Sequence, residues 1–80
     1  MSIKVCTFNV KGLNDQSKRK QLFHWLKLNK YSICLLQEIH CQERTYDDWA
    51  KEWVGEMFLS GNSSNSMGVG ILVNSNFSYA

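Results

Sequence analysis

Two polar residues with potential metal-binding and phosphate-binding chemistry follow apolar segments of this sequence. Asn9 lies near the end of the β-branched and apolar residues 3–10, and Glu38 comes soon after the apolar run 33–36. A single carboxylate suits Mg²⁺, which takes one or two carboxylates and keeps several of its waters. An amide can hold a phosphate oxygen or orient an acid. From residue types alone, a solvated strand-end glutamate and a turn-forming asparagine remain the alternative.

The elements around these two residues determine whether they can act together. Residues 3–10 predict a largely buried strand, residues 17–29 show the apolar period of a helix, and residues 33–36 predict a strand that Glu38 terminates. This order is typical of a βαβ unit with parallel strands. Parallel neighbours end at the same edge of a sheet, where open α/β sheets bind ligands. We therefore expect Asn9 and Glu38 to lie close together.

The second half of the chain predicts one more helix and two more strands. Thr45 and Asp48 have the spacing of a capping box, which predicts a short helix. Residues 56–59 and 67–73 predict short strands, separated by a polar loop. The expected fold class is α/β. Because the last strand is apolar and needs neighbours, we expect residues 1–80 to be the front part of a larger domain.

Composition excludes several classes of protein. The chain has 44% hydrophobic and 20% charged residues, which is ordinary for a folded domain. It has no apolar run of about 18 residues, which argues against a membrane span, and no secretory signal. Its 3 cysteines lack Cys-x-x-Cys spacing, which disfavours a disulfide framework. We expect an intracellular protein, nuclear or cytoplasmic, that is not secreted.

Charge is distributed unevenly along the chain. Residues 1–37 carry seven Lys or Arg and one acid, whereas residues 38–56 carry six acids and two bases. A basic front half suits a phosphate or nucleic-acid partner, although solvated lysines on an exposed face are the alternative. The weak candidates for such contacts are Lys11, Lys18, Arg19, Lys20, Gln37 and His40.

Four short segments, taken together, resemble a known superfamily. They are Thr7-Phe8-Asn9-Val10-Lys11-Gly12-Leu13, Lys18-Arg19-Lys20, Leu35-Leu36-Gln37-Glu38-Ile39-His40 and Ser66-Met67-Gly68-Val69-Gly70-Ile71-Leu72. In this order they are similar to the N-terminal part of the endonuclease/exonuclease/phosphatase superfamily. Within it they resemble the endonuclease domains of LINE-type, non-LTR retrotransposons, which are related to apurinic/apyrimidinic endonucleases.

The resemblance implies a fold and a reaction. It implies the N-terminal part of a four-layered α/β sandwich with mixed sheets, and Mg²⁺-dependent hydrolysis of a phosphodiester bond in DNA. Glu38 matches the metal-binding glutamate, and Asn9 matches the active-site asparagine near the scissile phosphate. In the retrotransposon members, the nick exposes a 3′ hydroxyl that primes reverse transcription. The implied partners are DNA and the remainder of a parent polypeptide, which includes the rest of the nuclease domain and a reverse transcriptase.

The sequence also departs from the family pattern. Ile39 replaces a common threonine, Lys11 stands where apurinic endonucleases carry an acid, and His40 stands where they often carry lysine. The later Asp-x-Asn segment and the final Asp-His pair have no counterpart in these 80 residues. We therefore expect the 80 residues alone not to be a competent nuclease. The alternatives are a non-catalytic basic nucleic-acid-binding module, an inactive retrotransposon remnant, or a phosphatase of the same superfamily.

Overall fold

A computed structural model describes residues 3–61 and 67–75 of the chain. The elements are β1 (Val5–Asn9), α1 (Gln16–Leu28), β2 (Ile33–Cys41), a 3-10 turn (Glu43–Thr45), α2 (Tyr46–Glu52), β3 (Gly55–Ser60) and β4 (Met67–Asn74). Most of the predicted polar loop, residues 62–66, lies outside the described residues. No helix in the described part of the chain is long and apolar enough to cross a membrane.

The four strands form one mixed sheet in the order β1-β2-β4-β3. β1 pairs in parallel with β2, from Val5 opposite Ile33 to Asn9 opposite Gln37. β4 runs antiparallel to both of its neighbours. The predicted βαβ unit and the α/β fold class are confirmed, because α1 connects the two parallel strands.

Helix α1 begins where the sequence supplies an N-terminal cap. The Asp15 carboxylate accepts hydrogen bonds from the backbone amides of Ser17 (2.9 Å) and Lys18 (3.4 Å). Such a cap satisfies amides that have no partner inside the helix. Phe23 and Leu26 on one side of α1 are buried. The apolar period in the sequence therefore predicts the packed face correctly.

Helix α2 is present, but the predicted capping box is wrong. Thr45 has φ −102° and ψ −1°, and its side chain caps no backbone amide. Its hydroxyl instead donates to the backbone carbonyl of Gln42 at 2.9 Å. The 3-10 turn runs directly into α2, so Thr45 already has a helical conformation, whereas a capping residue usually has an extended one. The Thr-x-x-Asp spacing identifies the start of the helix but not the contact made there.

The core lies between the helices and one face of the sheet. The sheet contributes the buried side chains Cys34, Leu36, Ile39, Met57 and Leu72, and the helical segments contribute Phe23, Leu26, Trp49 and Trp53. On the opposite face, Leu35, Ile71 and Phe58 lie side by side across three strands by register. These three side chains are 39%, 40% and 54% exposed. The sheet thus has one face packed against the helices and one open, apolar face.

A buried ion pair joins α1 to the end of α2. The Arg19 guanidinium donates to both carboxylate oxygens of Glu52, at 2.9 and 3.1 Å. It also donates to the backbone carbonyls of Leu13 and Asn14, both at 2.9 Å, and lies 4.8 Å from the centre of the Trp49 ring. Arg19 is only 7% exposed. The Arg19 guanidinium therefore binds groups inside the protein, whereas the sequence suggests that it contacts a phosphate.

We predict that Arg19→Ala destabilises the chain far more than Lys20→Ala, its neighbour on α1. Removing one partner of a buried ion pair leaves the other charge uncompensated, which costs about 3 kcal/mol. An exposed lysine contributes less than about 0.5 kcal/mol. Urea unfolding followed by circular dichroism measures both values. Equal losses for the two variants would mean that the Arg19–Glu52 pair contributes no more than surface charge.

Candidate active site

The sequence predicts that strand β2 ends at Glu38. In the structure the strand continues to Cys41. Gln37 lies opposite Val69 of β4, and Cys41 lies opposite Met67, so three residues of β2 (38–40) face the single residue Gly68. This is a β-bulge near the end of the strand. The parallel pairing with β1 does end at Gln37. Glu38 is therefore the first residue of the bulge, immediately beyond the last parallel pair.

The bulge turns Glu38 out of the core. Side chains alternate along a regular strand, so a glutamate two residues after the buried Leu36 would point inward. Glu38 and His40 instead have positive φ values of 54° and 55°. Both are exposed, while Ile39 between them is 0% exposed. The local backbone thus places an apolar side chain in the core and two ionisable side chains in solvent.

The segment after β1 supports this conformation through backbone hydrogen bonds. The amides of Val10, Gly12 and Leu13 donate to the carbonyls of residues 37, 38 and 39, at 3.0, 2.6 and 3.0 Å. Lys11 and Gly12 have φ values of 51° and 90°. A left-handed conformation costs a residue other than glycine about 1–3 kcal/mol. Three such residues meet at this edge of the sheet, namely Lys11, Glu38 and His40.

Asn9 contacts Glu38 directly. The Asn9 side-chain Nδ2 donates a hydrogen bond to Oε2 of Glu38, and Asn9 Oδ1 accepts one from the backbone amide of Lys11 at 3.2 Å. The amide of Asn9 is therefore held from both sides. The second carboxylate oxygen of Glu38 receives no hydrogen bond from a described residue. The expectation that parallel strands bring these two residues together agrees with the structure.

Two lysines surround the segment after β1. Lys18 lies in the first turn of α1, and its Nζ donates to the backbone carbonyl of Val10 at 2.6 Å. Lys11 is exposed within the same segment. His40 lies across from Gly12, because its Cδ2 would be 3.7 Å from a Cβ placed on that glycine. Lys11, Lys18 and His40 thus lie around the residues that follow Asn9.

The remaining candidates of the sequence analysis lie elsewhere. The Gln37 side chain donates to the hydroxyl of Thr7 at 2.7 Å and stays on the open face of the sheet. Arg19 is buried in its ion pair with Glu52. Lys20 and His24 line a separate cavity between α1 and the junction of α2 with β3. The structure therefore separates the basic run of residues 18–20 into three different environments.

Sequence reasoning also missed residues that shape this edge of the sheet. A Cβ on Gly70 would contact Leu59 Cδ2, and would approach the Phe58 carbonyl oxygen to 3.3 Å and Ile39 Cδ1 to 3.4 Å. A Cβ on Gly68 would have no atom within 4 Å. Gly70 thus provides the space that the Leu59 side chain occupies. The bulge thus lies opposite Gly68, and a close side-chain approach lies at Gly70.

The cysteines do not offer reactive thiols to the site. All three are free, and Cys6 lies beside Cys34 in the parallel register. Burial, together with the contact from Cys6, raises the pKa of the Cys34 thiol well above its ordinary value. Burial also raises the pKa of Cys41, although the Thr45 hydroxyl and the Arg19 charge act in the opposite direction. Cys34 and Cys41 are therefore neutral at physiological pH.

A metal ion at this edge would have few protein ligands. Within residues 3–61 and 67–75, no group of three or more His, Cys, Asp or Glu side chains is placed to hold a metal. The exposed Glu38 carboxylate is a hard oxygen donor. A single carboxylate fits an ion such as Mg²⁺ that retains most of its waters, and does not fit a closed zinc site with four protein ligands.

The fold agrees with a comparison against known protein families. Residues 6–80 match the model of the Endonuclease/Exonuclease/phosphatase family. The match starts within β1 and includes both Asn9 and Glu38. The chain belongs to this family.

A curated relative gives a more specific likeness. The chain is 29% identical over 77 residues to a Xenopus laevis protein described as "Transposon TX1 uncharacterized 149 kDa protein". The matched region covers 96% of this chain and 6% of the relative. The chain therefore corresponds to a small part of a much longer transposon protein.

We predict that Gly70→Ala destabilises the chain, whereas Gly68→Ala does not. The added methyl group at residue 70 must displace the Leu59 side chain and lies close to the Phe58 carbonyl, at a cost of about 1–3 kcal/mol. At residue 68 the methyl group meets open space, and restricting the unfolded chain adds up to about 1 kcal/mol of stability. Urea unfolding gives the free energies. The methyl NMR signals of Leu59 should move only in Gly70→Ala, and movement in both variants would contradict the assigned packing.

Proposed function

We propose that this chain is the N-terminal portion of a Mg²⁺-dependent DNA endonuclease domain. In this proposal, the parent polypeptide is a LINE-type retrotransposon protein, and the nick exposes a 3′ hydroxyl that primes reverse transcription in the nucleus or cytoplasm. The observation that carries the proposal is the contact between Asn9, the last residue of β1, and Glu38, the first residue of the bulge in β2. Membership of the family and the transposon relative support it.

In the proposed site, Glu38 is the metal ligand. Asn9 holds one carboxylate oxygen of Glu38, which leaves the other oxygen oriented toward solvent for an ion that keeps its waters. Bound Mg²⁺ would polarise the phosphoryl oxygen and stabilise the leaving oxygen of the phosphodiester. Asn9 acts as the orienting amide beside the scissile phosphate, and its own orientation depends on the Lys11 amide.

Positive side chains around the same segment favour a phosphate at this edge. Lys18 is held against the carbonyl of Val10, and Lys11 and His40 are exposed nearby in the chain. In water, the charge of each lysine contributes modestly, and its effect on DNA affinity is expected to weaken as salt rises. Their proposed role is to attract and position the DNA backbone, and they do not activate water.

The general base that would activate water is proposed to come from outside these 80 residues. The described residues provide a metal ligand and an orienting amide but no cluster of further acids or histidines around Glu38. In the proposed parent domain, a second sheet covers the open apolar face that contains Leu35, Phe58 and Ile71. The same part of the parent polypeptide would then supply the missing catalytic groups.

Two other functions fit part of these observations. The family also includes phosphatases, which would use Asn9 and Glu38 in the same way; the transposon relative favours the nuclease. A non-catalytic basic module or an inactive remnant is supported by the incomplete catalytic set within the described residues. The activity of a longer chain distinguishes these functions from a nuclease.

We predict that the 80 residues alone do not nick supercoiled plasmid in Mg²⁺, and that a parent chain extended through the missing segments does. Glu38→Gln in that parent should reduce nicking about 100-fold or more, because loss of the metal removes several kcal/mol of transition-state stabilisation. Asp47→Asn, which neutralises an exposed carboxylate on α2, is the matched control and should retain activity. Nicking is measured by conversion of supercoiled to open-circular DNA.

A second measurement tests the metal without activity. Titration of Mg²⁺ into the 80-residue chain should shift the side-chain NMR signals of Glu38 and Asn9 but not those of Asp47. If the isolated chain nicks plasmid and keeps that activity in Glu38→Gln, the chemistry has been assigned to the wrong residues. If Mg²⁺ leaves the Glu38 signals unchanged in every chain tested, Glu38 is not the metal ligand.

A further inference from the structure

Residues 10–14, which we call the connecting segment, are held from two sides. On one side, backbone amides of the segment donate hydrogen bonds to the carbonyls of residues 37–39 in β2. On the other side, Nη1 of the Arg19 side chain donates to the carbonyls of Leu13 and Asn14, both at 2.9 Å. The connecting segment therefore joins a side chain of α1 to the bulge in β2.

Leu13 provides the shortest connection between Arg19 and the bulge. Its carbonyl accepts the hydrogen bond from Arg19, and its own amide donates to the Ile39 carbonyl at 3.0 Å. One residue earlier, the Gly12 amide donates to the Glu38 carbonyl. The Leu13 side chain is buried, with an exposure of 1%. A displacement of Leu13 would therefore be transmitted directly to the backbone of Glu38 and Ile39.

The connecting segment also orients Asn9. The Lys11 amide donates to Asn9 Oδ1 at 3.2 Å, and Asn9 Nδ2 donates to the Glu38 carboxylate. Lys11 has a φ of 51°, an unfavourable conformation that persists only where surrounding contacts hold it. Both members of the Asn9–Glu38 pair therefore depend on the connecting segment keeping its conformation.

Arg19 is itself fixed in position. Its guanidinium donates to both carboxylate oxygens of Glu52, and its Cζ lies 4.8 Å from the centre of the Trp49 ring. A guanidinium is planar and presents its donors in fixed directions, whereas a lysine ammonium is a compact charge on a flexible stem. Arginine at this position can therefore hold Glu52 and two backbone carbonyls at once, which lysine cannot do.

We propose that Arg19 is a positioning residue for the metal site. It holds the connecting segment against the bulge, and the segment keeps Asn9 in contact with Glu38, so that the carboxylate is oriented for Mg²⁺. This inference rests on the proposed function, because it takes Glu38 to be the metal ligand. Arg19 acts through the segment, since its side-chain hydrogen bonds within the described part of the chain go to Glu52 and to that segment. Groups that orient a metal ligand from outside the coordination sphere alter metal affinity.

The first test compares Arg19→Lys with Leu26→Ala in the 80-residue chain without metal. Leu26 is 0% exposed on the same helix, so its truncation destabilises the fold without removing a hydrogen bond to the connecting segment. Amide hydrogen exchange is followed by NMR. In Arg19→Lys, protection of the Gly12 and Leu13 amides should fall about 10-fold relative to the amides of β4, because the segment opens locally. In Leu26→Ala, these two amides should lose no more protection than those of β4.

The second test measures Mg²⁺ affinity from the side-chain NMR signals of Glu38 and Asn9, under conditions in which each variant is folded. Arg19→Lys should raise Kd about 5-fold, which is less than the effect of a group that contacts the ligand directly, and Leu26→Ala should change Kd less than about 2-fold. The double variant Arg19→Gln, Glu52→Gln leaves no uncompensated buried charge. It should raise Kd to the same extent as Arg19→Lys, and it replaces that variant if Arg19→Lys does not fold.

Two results would overturn the proposal. The first is a loss of protection at Gly12 and Leu13 that, relative to β4, is the same in Arg19→Lys and Leu26→Ala, because Arg19 would then affect stability alone. The second is an unchanged Mg²⁺ Kd in both variants at residue 19.

Failure of the proposed function gives a different result, namely that Mg²⁺ leaves the Glu38 signals unchanged in the chain without substitutions. The role of Arg19 toward the metal would then be overturned with it, whereas hydrogen exchange would still decide whether Arg19 holds the connecting segment.

Discussion

The candidate site depends on a single conflict between strand geometry and residue order in β2. Leu36, Glu38 and Ile39 cannot all be placed correctly by regular alternation, because Leu36 and Ile39 both need the core and Glu38 needs solvent. The bulge resolves the conflict by using three residues of β2 against Gly68. Ile39 then packs in the core at van der Waals distance from Gly70. The exposure of Glu38 is thus a consequence of how the core is filled.

Without compensating interactions, the backbone conformation of the bulge would be energetically unfavourable. Glu38 and His40 have backbone conformations that are unfavourable for residues with a side chain. The segment after β1 compensates through three backbone hydrogen bonds to the bulge, and Gly12 within it has a φ of 90° that favours glycine. Asn9 adds a side-chain bond to Glu38. The end of β1 and the bulge of β2 therefore stabilise one another, and they do so where the carboxylate is exposed.

The sequence predicts the topology well because topology follows from local patterns. A helical period between two apolar segments is enough to indicate parallel strands, and parallel strands are enough to bring Asn9 near Glu38. The bulge is not predictable in this way, since it depends on the register with β4, which is distant in sequence. The capping prediction at Thr45 fails for a related reason, because the preceding 3-10 turn determines its conformation.

The basic residues 18–20 show most clearly that the sequence alone does not reveal the partners of each side chain. Three adjacent positive residues suggest a single phosphate-binding patch, yet successive residues on a helix point about 100° apart. Lys18 lies toward the Asn9–Glu38 edge, Arg19 is buried against Glu52, and Lys20 lines a cavity between α1 and the junction of α2 with β3. Only the partners of each side chain, which come from other elements, determine whether its charge is available to a ligand.

Covering the open face of the sheet would affect both the stability of the fold and the proposed chemistry. The helices cover one face, whereas the other face exposes Leu35, Phe58 and Ile71 in a continuous row across three strands. Burying such side chains stabilises a fold by about 25 cal/mol for each Å² removed from water. In the proposed parent domain, one further sheet would cover this row and also bring the groups that Glu38 and Asn9 lack. The same association would then complete the core and the catalytic site, so neither would be fully formed without the other.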